Sequence, residues 1–451
     1  MAMVSPAYQA AGIAIASSSS SEAEKRRSTG SGGCVTCMLS FETINVIRRA
    51  ILRTTLWLSI ADALTLLAFA AVSIVIARRL GAEQLGAYSL ATTLGGIVQI
   101  VADAGYSIWL PRAVAQNPSQ LSIVLASAIA TKVLLWFAAF PVALVIAVTQ
   151  GDTAAVLTWL VAMDVLASCI SFSVLAALRG IEWYIGPSLL SSTYSIVAAA
   201  GMVIAIVTGA PLWCAVGVMV AAGFARSVHL VALLHRRTRQ HLTIAHLWTH
   251  AHPVTIVHQL RAQWQLWTVN VFSTILHRGP LVVLGMRGLP SELGYYAAAF
   301  RIYSALRIIP GSLFNAVLPQ LSSRQHDARL RTGILSVGFA VSLIVAGMLW
   351  LSSTPLIRAT FGFEQAIRPL KLMAIAFAGL SLKTTVEAVL IGRRHDRLVA
   401  VSVMVVAACT IAVSWIVPPL ASSFAIVCVG SEWCLFVLLF GWLLRKRSLA
   451  L

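Results

Sequence analysis

Charge is what this sequence has least of. Only 11% of its 451 residues are Asp, Glu, Lys or Arg, against roughly 25% in ordinary globular domains. Hydrophobic residues fill 59% of positions. No water-soluble fold hides that much apolar surface, so a bilayer must be the solvent. Cysteine is sparse and scattered, with seven residues in all. Only Cys34 and Cys37 form a CxxC pair, and without a second ligand pair they read as ordinary tail thiols, neither a zinc site nor a disulfide framework. Also missing are GxxxxGKS/T, HExxH and any nucleophile–base pair, which argues against nucleotide hydrolysis or membrane-embedded catalysis. The chain is expected not to be an enzyme, with no catalytic residues, no cofactor and no metal.

Basic residues outnumber acidic ones 33 to 15, a formal net charge of +18. In a soluble protein this would suggest nucleic acid. Here the Lys and Arg sit mainly in short loops between apolar segments, where they orient helices, so nucleic-acid binding is not expected.

Segments of about 20 apolar residues cross roughly 30 Å of hydrocarbon. Such segments fall near 55–77, 86–110, 121–148, 153–178, 187–208 and 211–234, and again near 264–286, 294–318, 332–354, 366–391, 398–417 and 420–444. They are too long for barrel strands, so the expected fold is an all-α polytopic membrane protein of about twelve helices. With the N-terminus inside, most of the 33 Lys and Arg lie in inner loops and tails and few in outer loops. That bias predicts both termini in the cytoplasm and an inner (plasma) membrane location. The expected organisation is a disordered cytoplasmic tail (1–40), an N-terminal six-helix bundle (41–234), a His-rich cytoplasmic linker (235–262), a C-terminal six-helix bundle (263–445) and a short tail (446–451). Residues 41–57 mix apolar and basic side chains, as either a surface-lying amphipathic helix or an extension of the first span would.

The two halves carry one repeat. Adding 208 takes Arg79 to Arg287, Leu85-Gly86 to Leu293-Gly294, Tyr88 to Tyr296 and Leu110-Pro111 to Leu318-Pro319. With four more residues, Leu178 and Gly180 fall on Leu390 and Gly392, each pair ending a fourth helix. Six helices separate equivalent positions, so the halves share orientation and should be related by an axis along the membrane normal.

The stretch IARRLGAEQLGAYSLATTLGGIVQIVADAGYSIWLPRAVA (76–115) contains R-x-L-G-x-x-x-x-G-x-Y, and LAALRGIEWY (175–184) and LPSELGYYAAAFRIYSALRIIPGSLFNAVLPQLS (289–322) mark matching helix ends. In these residues the chain resembles polysaccharide exporters of the multidrug/oligosaccharidyl-lipid/polysaccharide exporter superfamily. The resemblance covers about 50–445. It implies a twelve-helix, two-bundle flippase moving undecaprenyl-diphosphate-linked oligosaccharide across the membrane for O-antigen, capsule or exopolysaccharide (lipopolysaccharide-type) assembly. Its expected partners are the lipid-linked oligosaccharide, the bilayer, and a polysaccharide polymerase and glycosyltransferases. Where related exporters often carry an acid in the seventh helix, this chain has His277-Arg278-Gly279-Pro280. The alternative is a cation-coupled small-molecule exporter of the same superfamily; a polytopic glycan polymerase or acyltransferase would need larger outer loops.

A charge at the bilayer centre costs about 2.5 to 3.5 kcal/mol on insertion scales, so intramembrane ionisable groups face a cavity or a partner. The first half offers Asp62, Asp103, Asp164 and Lys132; the second offers Arg278, Arg301, Arg307, Lys383, Glu387 and Glu432. Planar guanidinium groups suit a lipid diphosphate, which makes Arg278, Arg301 and Arg307 the expected substrate-binding residues. Asp62 and Asp103 are the candidates for ion coupling, and Lys383 is spaced to pair with Glu387 on one helix face. Gly279-Pro280 and Pro310-Gly311 are expected to break the seventh and eighth helices, with no proline at the first-half equivalents. The central His-rich stretch, including His246 and His250 at helical ligand spacing, reads as an amphipathic linker on the anionic leaflet.

Overall fold

Backbone N–H and C=O groups have no water to bond to in hydrocarbon, so each apolar crossing must satisfy its own, and a helix does this within one segment. The structure of the protein, a computed structural model, describes residues 35–238, 253–311, 328–392 and 395–448. The expected tail over 1–34, the linker's 239–252 with its histidine pair, and the Leu318-Pro319 match lie outside these residues.

The described chain is helical throughout its regular structure. Helix α1 (Val35–Asp103) carries the first two crossings, joined where Gly81 adopts φ 85°, a left-handed value that a side chain would resist. Helix α2 (Tyr106–Gln116) finishes the second crossing. The first half continues with α3 (Leu121–Val148), α4 (Asp152–Gly180), α5 (Ile185–Val207) and α6 (Leu212–Thr238). The second half comprises α7 (Pro253–Arg287), α8 (Pro290–Leu306), α9 (Ala328–Thr360), α10 (Ile367–Gly392), α11 (Asp396–Ile416) and α12 (Ala421–Ser448). Among the described residues ten helical stretches are long and apolar enough to span a membrane, and one of them, Ile60–Asp103, has 44 residues, enough for two crossings. Helix α8, with 17 residues in this range, supplies the twelfth crossing. The region 41–57 is an extension of α1.

Within the first half α1 packs on α3, α4 and α5, and α4 on α6; within the second, α10 packs on α9 and α12, and α7 on α11. The halves meet chiefly where α1 lies against α8 and α7. Gly86 and Gly294, equivalent in the repeat, stand at the point of closest approach. A methyl group on Gly86 would press on the Pro290 carbonyl and the Gly294 N–H; one on Gly294 would overlap the Ala82 backbone. Arg78 adds a clamp across the halves, donating from Nε to the Thr360 carbonyl at 2.7 Å and from Nη2 to Ala359 at the end of α9. These are carbonyls that a helix C-terminus leaves unpaired.

One apolar core runs through both halves at this joined end, from Val72, Leu85 and Tyr88 to Leu293, Tyr296, Phe377 and Phe424. Toward the opposite end the core divides. Leu110, Leu125, Leu178 and Leu230 belong to a cluster within the first half; Leu276, Leu390, Val403 and Leu439 belong to another within the second. The halves thus share one core at one end and have a core each at the other, where Trp267 of α7 packs against the first-half cluster; the division between the two cores is the cleft between the halves.

Helix interruptions depart from the proline rule. Helix α7 runs unbroken through Gly279-Pro280. The second crossing, which lacks proline at the expected place, breaks instead at Ala104 and Gly105, with φ 46° and 83°. Asp103 caps the new start: its Oδ2 accepts from Ser107 N at 3.4 Å and Ser107 Oγ at 2.8 Å. In α8 the break falls at Arg307, three residues before Pro310. Gly180, at the end of α4, packs against the Pro111 carbonyl and Val114, so two repeat markers in the first half touch each other.

The Gly86–Gly294 contact leaves no room for a side chain in a backbone that cannot retreat. Gly294→Leu should lower the thermal midpoint of the detergent-purified protein by several degrees, the scale of a few kcal/mol of overpacking. Gly347→Leu in α9, where nothing lies within 4 Å, should leave it within experimental error. Fluorescence-detected size exclusion after a temperature ramp reads both.

Candidate functional site

The three arginines selected from the sequence converge where the joined core gives way to the cleft. Each is half-buried. The charges of Arg301 and Arg307 both act on Arg278, so three guanidinium groups share one region of low polarity. Among the described residues none of the three has a carboxylate within 4 Å, and Arg278 has no hydrogen-bond partner. No carboxylate acts on Arg278 or Arg301, whereas Arg307 lies within the field of Glu387; cations gathered in hydrocarbon with so little counter-charge are costly unless an anion completes them.

Two of the three rest on α1 of the opposite half. The guanidinium of Arg278 lies directly on Gly96, in the space a methyl group would take. The guanidinium of Arg301 stands over the ring of Tyr88, 5.1 Å from its centroid, and its Nη2 donates to Ser89 Oγ at 3.4 Å. Tyr88 and Ser89 are buried, so the Arg301 head is held by first-half groups away from bulk water.

The other ionisable groups are mostly paired. In the second half Lys383 Nζ lies 2.8 Å from Glu432 Oε2, and His277 Nε2 lies 3.1 Å from Glu432 Oε1. Tyr303 donates to the same Oε1 at 3.0 Å. The Lys383 bond therefore goes to another helix and not to Glu387 one turn away. Glu387 is half-buried within the field of Lys383, Glu432 and Arg307, with no bonding partner among the described residues.

In the first half Asp103 bonds Lys132 at 2.8 Å besides capping α2. This carboxylate is committed to structure on both oxygens. Asp62, the other residue expected to couple an ion, is exposed on α1 within electrostatic reach of Arg179. Asp164 sits against Gly223 in the field of Arg226. Arg226 itself is buried in α6, with Nη2 donating to Ser168 Oγ at 2.9 Å and its head over the Phe172 ring at 5.2 Å. A count of loop cations assigns Arg226 to the sixth loop and misses it; its place one turn beyond Gly223, inside an apolar run, was the available signal. With Arg179 and Arg226 counted, each of the three intramembrane aspartates of the first half, Asp62, Asp103 and Asp164, has a cation acting on it. The first half is therefore balanced, not acidic, and the surplus of positive charge belongs to the second half.

The sequence of residues 51–325 matches the model of the family described as "Polysaccharide biosynthesis protein". Among solved structures the fold is similar to "Lipid II flippase MurJ, inward closed conformation", with a TM-score of 0.66 at 14% identity over 86% of this chain and 87% of that one. It is also similar to the eukaryotic MATE transporter AtDTX14, with a TM-score of 0.56 at 13% identity over 87% and 96%. A multidrug resistance MATE family transporter of the MOP superfamily, outward-facing, gives a TM-score of 0.53 at 14% identity over 88% and 95%. At these identities the likeness is one of fold. No curated protein matches the chain.

The Lys383–Glu432 pair is almost fully buried, so removing one partner strands the other. Lys383→Met should destabilise the protein by about 3 to 5 kcal/mol, read as a lower midpoint of chemical unfolding in micelles. Adding Glu432→Gln should restore much of the loss.

Proposed function

Because the chain belongs to the polysaccharide biosynthesis protein family, we propose that it is a flippase for undecaprenyl-diphosphate-linked oligosaccharide, serving O-antigen, capsule or exopolysaccharide assembly. In this reading the protein lies in the inner membrane with both termini in the cytoplasm, an orientation that the distribution of Lys and Arg supports. The joined end then lies toward the periplasm and the cleft opens to the cytoplasm.

The observation that carries the reading is the group of three arginines at the head of the cleft without a carboxylate partner among the described residues. A lipid diphosphate is a multiply charged anion, and paired N–H donors of guanidinium match its oxygens. The sugar headgroup occupies the cleft while the polyprenyl tail stays in the bilayer. Diphosphate binding offsets the repulsion among the arginines. Rocking of the halves then parts the α1–α8 contact and opens the periplasmic side, and the breaks at Ala104-Gly105 and at Arg307 let both central helices bend. A cavity for cationic small molecules would call for the opposite charge. A glycan polymerase and glycosyltransferases are the partners that supply and consume such a substrate.

Deleting the gene should cause lipid-linked repeat units to accumulate on the cytoplasmic face. Complementation with Arg278→Ala, Arg301→Ala or Arg307→Ala should cut polymer export about tenfold or more for each, the cost of a lost charge-assisted bond. Full export by all three variants at normal membrane levels would overturn the assignment.

A further inference from the structure

Resting on the diphosphate reading, we infer that a strip of α1, Tyr88, Ser89 and Gly96, is the positioning element that makes the second-half arginines converge, and so ties diphosphate affinity to the orientation of the two halves. None of these three residues carries a charge. Each nevertheless fixes a guanidinium from the opposite half: Gly96 by leaving a space that Arg278 fills, Tyr88 by presenting its ring to Arg301, and Ser89 by accepting from Arg301 Nη2.

The strip lies in the same helix as the tightest contact between the halves. Gly86, two residues before Tyr88, meets Gly294, and Leu90 packs on Gly285 of α7. Arg301 follows Gly294 by seven residues in α8, about 10 Å along the helix axis. Any motion that separates α1 from α8 at the joined end therefore carries Tyr88 and Ser89 away from Arg301, and any motion between α1 and α7 shifts Gly96 from Arg278. With its seat withdrawn, an arginine head regains rotamer freedom and its distance from the others is no longer set. The convergent, high-affinity arrangement belongs to the state in which the joined end is closed. A ligand that prefers one state stabilises it by the same factor by which that state improves its binding. The anion is held tightly while the cleft faces the cytoplasm and loosely once the joined end parts, which is the sense needed for release on the far side.

The test uses purified full-length protein in nanodiscs, with farnesyl diphosphate and farnesyl monophosphate as short-chain probes and calorimetry as readout. Gly96→Ala adds a methyl that displaces only the mobile head of Arg278, and alanine favours the helix, so folding is retained. Gly96→Ala and Tyr88→Leu should each weaken diphosphate binding about tenfold or more while changing monophosphate binding less than about threefold, because only the diphosphate needs several converged donors. Tyr88→Phe, which keeps the ring, should restore most of the diphosphate affinity. Wild-type protein that binds neither probe would overturn the diphosphate reading and this inference together. Wild-type binding that Gly96→Ala and Tyr88→Leu leave unchanged would overturn the positioning role alone. Equal losses for both probes, without rescue by Tyr88→Phe, would mark general damage and overturn it too.

Discussion

The approach of Gly86 to Gly294 is the contact on which the rest of the molecule depends. In a bilayer apolar helices gain nothing by leaving lipid for one another, so association rests on close packing and on polar contacts. Two glycines at equivalent places in a repeat bring two backbones together at a single point. From that point the shared core, the Arg78 clamp and the separate cores at the other end all follow. A cleft is what remains when two bundles are held closely at one end and touch sparingly, through Trp267, at the other.

Charge is arranged around this geometry in two unlike ways. The first half neutralises itself, with Asp103 beside Lys132 and Asp164 beside Arg226. The second half binds Glu432 to Lys383, His277 and Tyr303, yet among the described residues it leaves its three arginines without an ion pair, only Arg307 lying in the field of an acid, Glu387. Internal pairs stabilise helices that must share hydrocarbon, whereas unmatched cations at a cleft await a ligand of opposite sign. The same residue type thus plays different parts according to what stands opposite it.

Much of this was legible in the sequence. Apolar length marked the crossings, the Gly and Pro spacing exposed the repeat, and the rarity of charge singled out the arginines. The rest depended on partners far apart in the chain. Lys383 and Glu387 stand one turn apart, but Glu432, on another helix, takes the lysine, and no local spacing reveals that choice. Arg226 passed for a loop residue although its apolar run continues to Leu234, because nothing in the local pattern shows that Ser168 and Phe172 of another helix hold its head. The break at Ala104-Gly105 was hidden because it uses left-handed backbone in place of proline, and Gly279-Pro280 left its helix continuous because one missing N–H does not end a helix supported by neighbours. Tyr88 and Gly96, being uncharged, gave no electrostatic signal at all.

The order of synthesis gains meaning from where the arginines sit. A helix bearing Arg278, or Arg301 and Arg307, partitions poorly into lipid by itself, since each guanidinium resists the hydrocarbon. The ribosome delivers α1, with Tyr88, Ser89 and Gly96, long before α7 and α8 emerge. In the folded protein α1 offers the heads of Arg278 and Arg301 a place to lie. The surface on which Arg278 and Arg301 lie is therefore synthesised ahead of the helices that carry them.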